Sequence, residues 1–140
     1  MVRLSNKKII DELVKNGRIS YVDLAKKFDV SETAIRKRIS KLEENDIILG
    51  YTVEIDPKKL GYNVNALVGL DTEPEDYFSV IEKLKDFDEI LKLYSSNGDH
   101  MLMIEAWFKD SNDLSGFVKK LNNISGVKRV CPANILERLI

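Results

Sequence analysis

Two short helical patterns separated by a tight turn, within residues 20–44, constrain the fold of this chain more than any other feature. The second pattern follows Ser31, a strong N-cap, and places Ile35, Ile39 and Leu42 on one side of a helix. The inward face of the first pattern consists of Val22, Leu24, Ala25 and Phe28, and an earlier helix contributes Ile9, Ile10, Leu13 and Val14. Three short helices joined in this way predict a helix-turn-helix domain.

The outward face of the helix after Ser31 is polar and basic. At about 100° per residue, its polar side chains cluster opposite the apolar side, with Arg38 on the flank. Arginine can pair with guanine edges in the major groove, while serine, threonine and lysine suit phosphate oxygens. We therefore predict a DNA-binding face composed of Ser31, Thr33, Arg36, Lys37, Arg38, Ser40 and Lys41.

The alternative interpretation of this face is a solvated charged helix surface, which charge alone would favour. The preceding helix, the short turn and the Ser31 cap together outweigh it. Asp29 stands in the turn where glycine is common, and Asp tolerates left-handed backbone better than most residues. The charge distribution also favours DNA, because residues 1–50 contain 11 Lys and Arg against 8 Asp and Glu, whereas residues 51–140 contain 11 against 15.

The remainder of the chain alternates between strand and helix patterns. Residues 47–55 are rich in β-forming residues and predict a wing or linker strand that ends at Asp56 and Pro57. From Tyr62 the order is βαββαβ, with strands near residues 62–71, 89–95, 100–109 and 127–136. The predicted fold is α+β. It has a (winged) helix-turn-helix domain at residues 1–50, a linker strand and turn at 51–61, and a ferredoxin-like domain at 62–140.

The sequence of residues 16–62, NGRISYVDLAKKFDVSETAIRKRISKLEENDIILGYTVEIDPKKLGY, resembles the Lrp/AsnC, or feast/famine, family of transcriptional regulators. The βαββαβ pattern that follows resembles the amino-acid-sensing domain of that family. The resemblance implies control of transcription by a homodimer, or a ring of dimers, bound to double-stranded DNA. It also implies an amino acid as effector, and a dimer would recognise a pseudo-palindromic operator.

In this family the turn between the second and third strands of the sensing domain carries a Gly-Asp-aromatic motif beside the effector. The resemblance therefore implies effector binding by Ser96, Asn97, Gly98, Asp99 and His100. Backbone N–H groups near Gly98 would face a carboxylate, and Asp99 an ammonium group. His100 replaces the usual aromatic residue, and Met101 stands where a second acid is frequent. The alternative is an ordinary hairpin turn.

The strand near residues 100–109 indicates an oligomer independently. Leu102, Ile104, Ala106 and Phe108 share one face, while Met101, Met103 and Trp107 share the other. Two helices can cover only one face of a four-stranded sheet, so we predict that Met101, Met103 and Trp107 meet another subunit. The alternative is that the tail of the same chain covers them.

Catalytic and metal-binding functions find little support in the sequence. His100 is the single histidine, and no phosphate-cradling glycine loop occurs, so we predict no catalytic residue, metal or cofactor. The single cysteine, Cys131, is expected to be a small buried apolar side chain. The enzymatic alternative is a siroheme decarboxylase-like subunit that binds a tetrapyrrole, because such subunits resemble the same family. A bare sensing module is disfavoured by the intact helix-turn-helix pattern.

The hydropathy of the chain indicates a cytoplasmic protein without a membrane partner. No stretch approaches the roughly 18 to 20 consecutive apolar residues that a membrane helix requires. The first residues also lack the apolar segment of a signal peptide.

Overall fold

Three helices form the first of two compact units. The computed structural model describes residues 4–140, and the division between the units falls between Ile55 and Asp56, within the predicted linker. The helices are α1 (Asn6–Lys15), α2 (Tyr21–Phe28) and α3 (Glu32–Glu44). Each follows an N-cap serine whose hydroxyl accepts a backbone N–H from the first turn. The core of this unit consists of Ile9, Leu24, Ala25, Ile35 and Ile39.

The turn between α2 and α3 is as tight as predicted. Asp29 adopts the left-handed conformation with φ 52°, which lets the chain reverse immediately after α2. The Val30 N–H donates to the Ala25 carbonyl oxygen at 3.0 Å and satisfies one of the last acceptors of α2. Ser31 then begins α3, its hydroxyl accepting the Ala34 N–H at 3.1 Å. These contacts fix α3 against α2.

The predicted strand at residues 47–55 is wrong. Ile47 and Ile48 donate their N–H groups to the Leu42 carbonyl oxygen, and residues 49–56 are neither helix nor strand. A strand requires a hydrogen-bonded neighbour, and within residues 4–140 none pairs with this segment. Tyr51 is tied to α3 instead, since its hydroxyl donates to Glu43 Oε1 at 2.6 Å. This hydrogen bond raises the pKa of Tyr51 to about 12.

The second unit has the predicted βαββαβ order. Its elements are β1 (Val64–Thr72), α4 (Tyr77–Leu84), β2 (Ile90–Ser95), β3 (Leu102–Phe108), α5 (Ser111–Asn122) and β4 (Val127–Ile135). The strands form one antiparallel sheet in the order β2-β3-β1-β4, so β1 and β3 are central. This is the ferredoxin-like arrangement. A short 3-10 turn, Pro57–Leu60, precedes β1.

The helices α4 and α5 cover one face of this sheet. The inward residues of the two central strands alternate with half-buried ones and are themselves fully or almost fully buried. Val80 and Leu84 from α4, with Phe117 and Leu121 from α5, complete the core above them. The opposite face of the sheet has no helix on it in this unit. None of the helices described within residues 4–140 is long and apolar enough to cross a membrane.

Candidate nucleic-acid interface and effector site

The outward face of α3 carries the residues predicted to contact DNA. Because Ile35, Ile39 and Leu42 are buried, helical geometry turns the opposite side to solvent. The exposed members of the predicted set are Ser31, Thr33, Arg36, Lys37 and Lys41, whereas Arg38 and Ser40 are half-buried. The structure thus brings all seven onto one helix and its cap, with two at the border of the face.

Arg36 has two partners on the surface of this unit. Its Nη2 donates to Glu32 Oε1 at 2.7 Å, and its guanidinium carbon lies 4.8 Å from the centre of the Tyr21 ring. An exposed pair one helical turn apart contributes only about 0.3–0.5 kcal/mol. The guanidinium can therefore exchange Glu32 for a base edge at small cost, while the Tyr21 ring keeps it oriented.

A shallow cleft flanks this face where α1 begins. It has a volume of about 360 Å³ and is lined by Asn6, Ala34, Lys37, Arg38 and Lys41. Arg38 Nη1 donates to Asn6 Oδ1 at 3.2 Å, which holds the arginine along the flank. Three cations around one concave surface suit the DNA phosphate backbone. Sequence reasoning missed Asn6, because its partner lies 32 positions away.

The loop between β2 and β3, residues 96–101, is closed by its own hydrogen bonds. Ser96 donates its N–H to the Met101 carbonyl oxygen at 2.9 Å. The Gly98 N–H donates to Ser96 Oγ at 3.1 Å and is therefore already engaged within the loop. Ser96, Asn97, Gly98 and Asp99 are exposed, whereas His100 is half-buried. A carboxylate at this loop therefore needs a donor other than the Gly98 N–H.

Asp71, at the end of β1, organises the other side of this loop. Its Oδ1 accepts the Met101 N–H at 2.9 Å, and its Oδ2 lies 3.0 Å from His100 Nδ1 and 2.7 Å from Arg129 Nε. Because a carboxylate only accepts, the His100 Nδ1 carries a proton. Burial raises the pKa of Asp71, but the hydrogen bonds from His100, Arg129 and Met101 outweigh it and lower the pKa to about 2. Asp71 is therefore ionised at neutral pH and holds His100, Met101 and Arg129 in place.

Sequence reasoning missed both Asp71 and Arg129. They lie 58 positions apart and face each other across the β1–β4 pair, two residues after Val127 begins β4. Arg129 Nη2 also donates to the Asp99 carbonyl oxygen at 3.0 Å. An antiparallel pairing of the two strands, had its register been known, would have placed these opposite charges side by side.

Gly69 provides the space that the His100 ring occupies. A Cβ atom at Gly69 would lie 2.2 Å from His100 Cδ2, so no larger residue fits while the ring stays in place. The ring consequently lies against β1 instead of projecting from the loop with Asp99. His100 thus belongs to the wall of the predicted effector site.

The uncovered face of the sheet carries the residues predicted for oligomerisation. Met103 and Trp107 are half-buried and alternate along β3 with the buried core residues. Met101 precedes β3, and its Sδ lies 3.9 Å from the hydroxyl of buried Thr72, so strand alternation does not fix its side. Cys131, opposite Gly69, is half-buried, whereas the sequence predicted a buried side chain.

Two buried polar atoms on this face lack a hydrogen-bond partner among residues 4–140. They are Trp107 Nε1 and Asn65 Oδ1, and the two residues face each other across the β1–β3 pair. A buried unpaired donor or acceptor costs about 1–3 kcal/mol.

Two family profiles match this chain. "Winged helix-turn-helix DNA-binding" matches residues 3–48, and "Lrp/AsnC ligand binding domain" matches residues 65–139. The HTH-type transcriptional regulator LrpA of Pyrococcus abyssi is 50% identical over 140 residues, covering 99% of each chain. The tetrapyrrole alternative finds no support in these matches.

Solved structures agree with the fold. AsnC of E. coli has a TM-score of 0.82 at 28% identity, covering 98% of this chain and 95% of that one. The transcriptional regulator NMB0573 of Neisseria meningitidis, solved in complex with L-Met, has a TM-score of 0.81 at 23% identity, covering 98% and 92%. With its DNA-binding helix-turn-helix and its effector-modulated second domain, the chain belongs to the Lrp/AsnC family of transcriptional regulators.

Proposed function

We propose that this regulator binds a specific pseudo-palindromic operator as a homodimer and that an amino acid modulates it at the β2–β3 loop. The observation that carries the proposal is the basic face of α3, whose Thr33, Arg36, Lys37 and Lys41 are exposed opposite a buried apolar side. A helix of this kind enters the major groove, where Arg36 reads a base edge and the lysines neutralise phosphates.

The uncovered sheet face supports association of two chains. Met103 and Trp107 on this face are only half-buried in the described part of the chain. A second copy covers such a face more economically than the tail of the same chain, because both copies bury the same surface. Two α3 helices would then meet half-sites about one DNA turn apart, roughly 34 Å, or a multiple of it.

Binding of an amino acid rests on the chemistry of the β2–β3 loop. Asp99 is 86% exposed and offers a carboxylate to an ammonium group. Ser96 and Asn97 offer further polar contacts beside it. That NMB0573 was solved in complex with L-Met supports an amino acid as the ligand class to test first. Proteins of this family are regulators, and we propose no catalytic role for any residue here.

The DNA-binding proposal is tested with Arg36→Ala on DNA from upstream of the protein's own gene. Loss of a bidentate base contact should weaken specific binding by about 1–3 kcal/mol and bring specific and random duplexes closer in affinity. Arg36→Lys is the matched control, because it keeps the charge but loses the bidentate fork. Fluorescence anisotropy at several salt concentrations gives both affinities. Unchanged discrimination by Arg36→Ala would remove Arg36 from base recognition.

A further inference from the structure

The exposed carboxylate of Asp99 at the β2–β3 loop has two neighbours, His100 and Arg129. His100 Nε2 lies 3.6 Å from Asp99 Oδ2. Arg129 Nη2 lies 3.8 Å from Asp99 Oδ1, and the side chains of Arg129 and Asp99 are 51% and 86% exposed. An ion pair this exposed and this long contributes little to stability, since solvent screens it and both side chains lose rotamer freedom. The pair can therefore open for a ligand at small cost.

The guanidinium of Arg129 is nevertheless held in a fixed position. Asp71 accepts its Nε at 2.7 Å, and the Asp99 carbonyl oxygen accepts its Nη2 at 3.0 Å. Within residues 4–140 no acceptor engages its Nη1. A fixed guanidinium with a free edge is preorganised for a carboxylate, because little rotamer entropy remains to be lost on binding. Arg129 thus supplies the donor that Gly98 does not.

We propose that Arg129 binds the α-carboxylate of an amino-acid effector while Asp99 binds its α-ammonium group, and that Asp71 is the residue that positions Arg129. This inference rests on the effector site proposed above. A zwitterion inserted between the two side chains places each of its charges against the opposite one. A simple carboxylic acid would instead bring its negative charge towards Asp99, with no ammonium group to compensate. The site should therefore select α-amino acids over the matching 2-oxo acids.

The other groups around Arg129 fit this assignment. His100 Nδ1 is 3.4 Å from Arg129 Nη2, but its proton is directed to Asp71, so Nδ1 does not compete with Arg129 for the ligand carboxylate. Its Nε2 lies 3.6 Å from Asp99 Oδ2, beside the place proposed for the ammonium group. Lys128, the neighbouring cation on β4, is paired with Glu73 at 3.7 Å. Lys128 is exposed and lies at the irregularity where the β1–β4 register shifts, so it has no Cα partner on β1. It is a matched control.

The test uses the full chain and the twenty L-amino acids, screened by thermal shift at millimolar concentration. Each responding amino acid is then titrated by calorimetry together with its α-carboxamide, which keeps the ammonium group and lacks the carboxylate charge. On the parent protein the carboxamide should bind at least tenfold more weakly than the acid. Arg129→Ala should weaken binding of the acid at least tenfold and binding of the carboxamide less than threefold, so that the affinities of the two ligands converge.

Two further variants separate ligand binding from a purely structural role. Arg129→Lys should recover part of the preference for the acid, because it restores the charge without the fork. Asp71→Asn should weaken binding of the acid more than binding of the carboxamide, because Arg129 is then present but no longer held in position. Lys128→Ala should leave both affinities within twofold of the parent. Equal losses for acid and carboxamide in Arg129→Ala would show that Arg129 only holds the loop, which overturns the inference.

The same preparations are also tested for DNA binding. If no amino acid shifts the parent while DNA is bound, the inference is wrong and the DNA-binding proposal stands. If an amino acid binds through Arg129 while no upstream DNA is bound specifically, the inference stands and the DNA-binding proposal fails. Acid and carboxamide of equal affinity on the parent would also overturn the inference.

Discussion

The α3 face and the β2–β3 loop are both exposed and polar, but they are built in different ways. On α3 the helix itself places the side chains, and the ion-pair partner of Arg36 is Glu32, four residues away. At the loop, the position of His100 depends on Asp71 and on space at Gly69, which lie about 30 residues earlier. We therefore expect substitutions on the exposed face of α3 to change DNA binding alone. Substitutions of the residues that hold the loop, such as Asp71 and Gly69, should change the stability of the fold as well.

The largest effect is expected from Trp107→Asp, which tests whether chains associate through the sheet of the second unit. An aspartate on a face that a second chain covers would bury an unpaired charge, so the dimer should dissociate. Loss of the second half-site contact should then weaken operator binding by a factor of about 100 or more. Light scattering and a DNA titration measure the two effects. Trp107→Phe is the conservative control, and a Trp107→Asp protein that remains dimeric at micromolar concentration would contradict the prediction.

The next effect concerns the packing behind the loop and compares two glycines. A Cβ at Gly69 would meet the His100 ring at 2.2 Å, whereas a Cβ at Gly98 would approach only Ser96 Oγ at 3.5 Å. Gly69→Ala must displace the ring and break its hydrogen bond to Asp71, so it should lower the free energy of unfolding by about 1–3 kcal/mol. Gly98→Ala should stay within about 0.5 kcal/mol. Chemical denaturation measures both, and equal effects would show that His100 does not depend on Gly69.

Much of the fold could be predicted from the sequence because its elements carry strong local signals. Ser20 caps α2 four residues before buried Leu24, and Ser31 caps α3 four residues before buried Ile35, so each helix is specified within a short stretch of sequence. The βαββαβ order follows in the same way from alternating strand and helix periodicity. The segment at residues 47–55 has equally strong β-forming character but lacks a partner strand within residues 4–140. Propensity alone therefore predicted a strand that this chain does not form.

The two candidate sites, the α3 face and the β2–β3 loop, differ in the same way in how far the sequence predicts them. The exposure of Arg36 and Lys37 follows from helical periodicity, which a sequence displays directly. The hydrogen bonds of Asp71 to His100 and Arg129 depend on the register of three strands, and register is not visible in any one of them. The resemblance located the loop, but only the packing of the sheet reveals what holds it.

A smaller effect is expected from the acid dependence of stability. The pKa of Asp71 is about 2 in the folded chain and 3.8 in the unfolded chain, so its ionised form favours folding. This contribution is fully present above about pH 4 and is lost as the pH falls towards 2, a change of about 2 kcal/mol. Unfolding free energies of the parent and Asp71→Asn should therefore converge between pH 4 and pH 2. Parallel curves over this range would show that Asp71 is not stabilised by its hydrogen bonds.

The smallest effect is expected from Lys41→Ala. Lys41 lies on the exposed face of α3, where substitutions should change DNA binding alone. Lys41 is exposed beside the cleft near Arg38 and has the chemistry of a phosphate contact. Its loss should weaken all DNA sequences alike and reduce the slope of log K against log salt by about 1, because one fewer counterion is released. The unfolding free energy should not change.

Anisotropy titrations at four or more salt concentrations, on operator and random duplexes, measure this slope. Lys7→Ala is the matched control, since Lys7 is an exposed lysine of the same unit that is paired with Asp11 at 2.8 Å and does not line the cleft. A reduced slope for Lys41→Ala but not for Lys7→Ala places a phosphate beside the cleft. If Lys41→Ala instead weakens the operator more than random DNA, Lys41 contacts a base edge, because phosphate contacts carry no sequence information. An unchanged slope in both variants would place the end of α3 away from the DNA backbone.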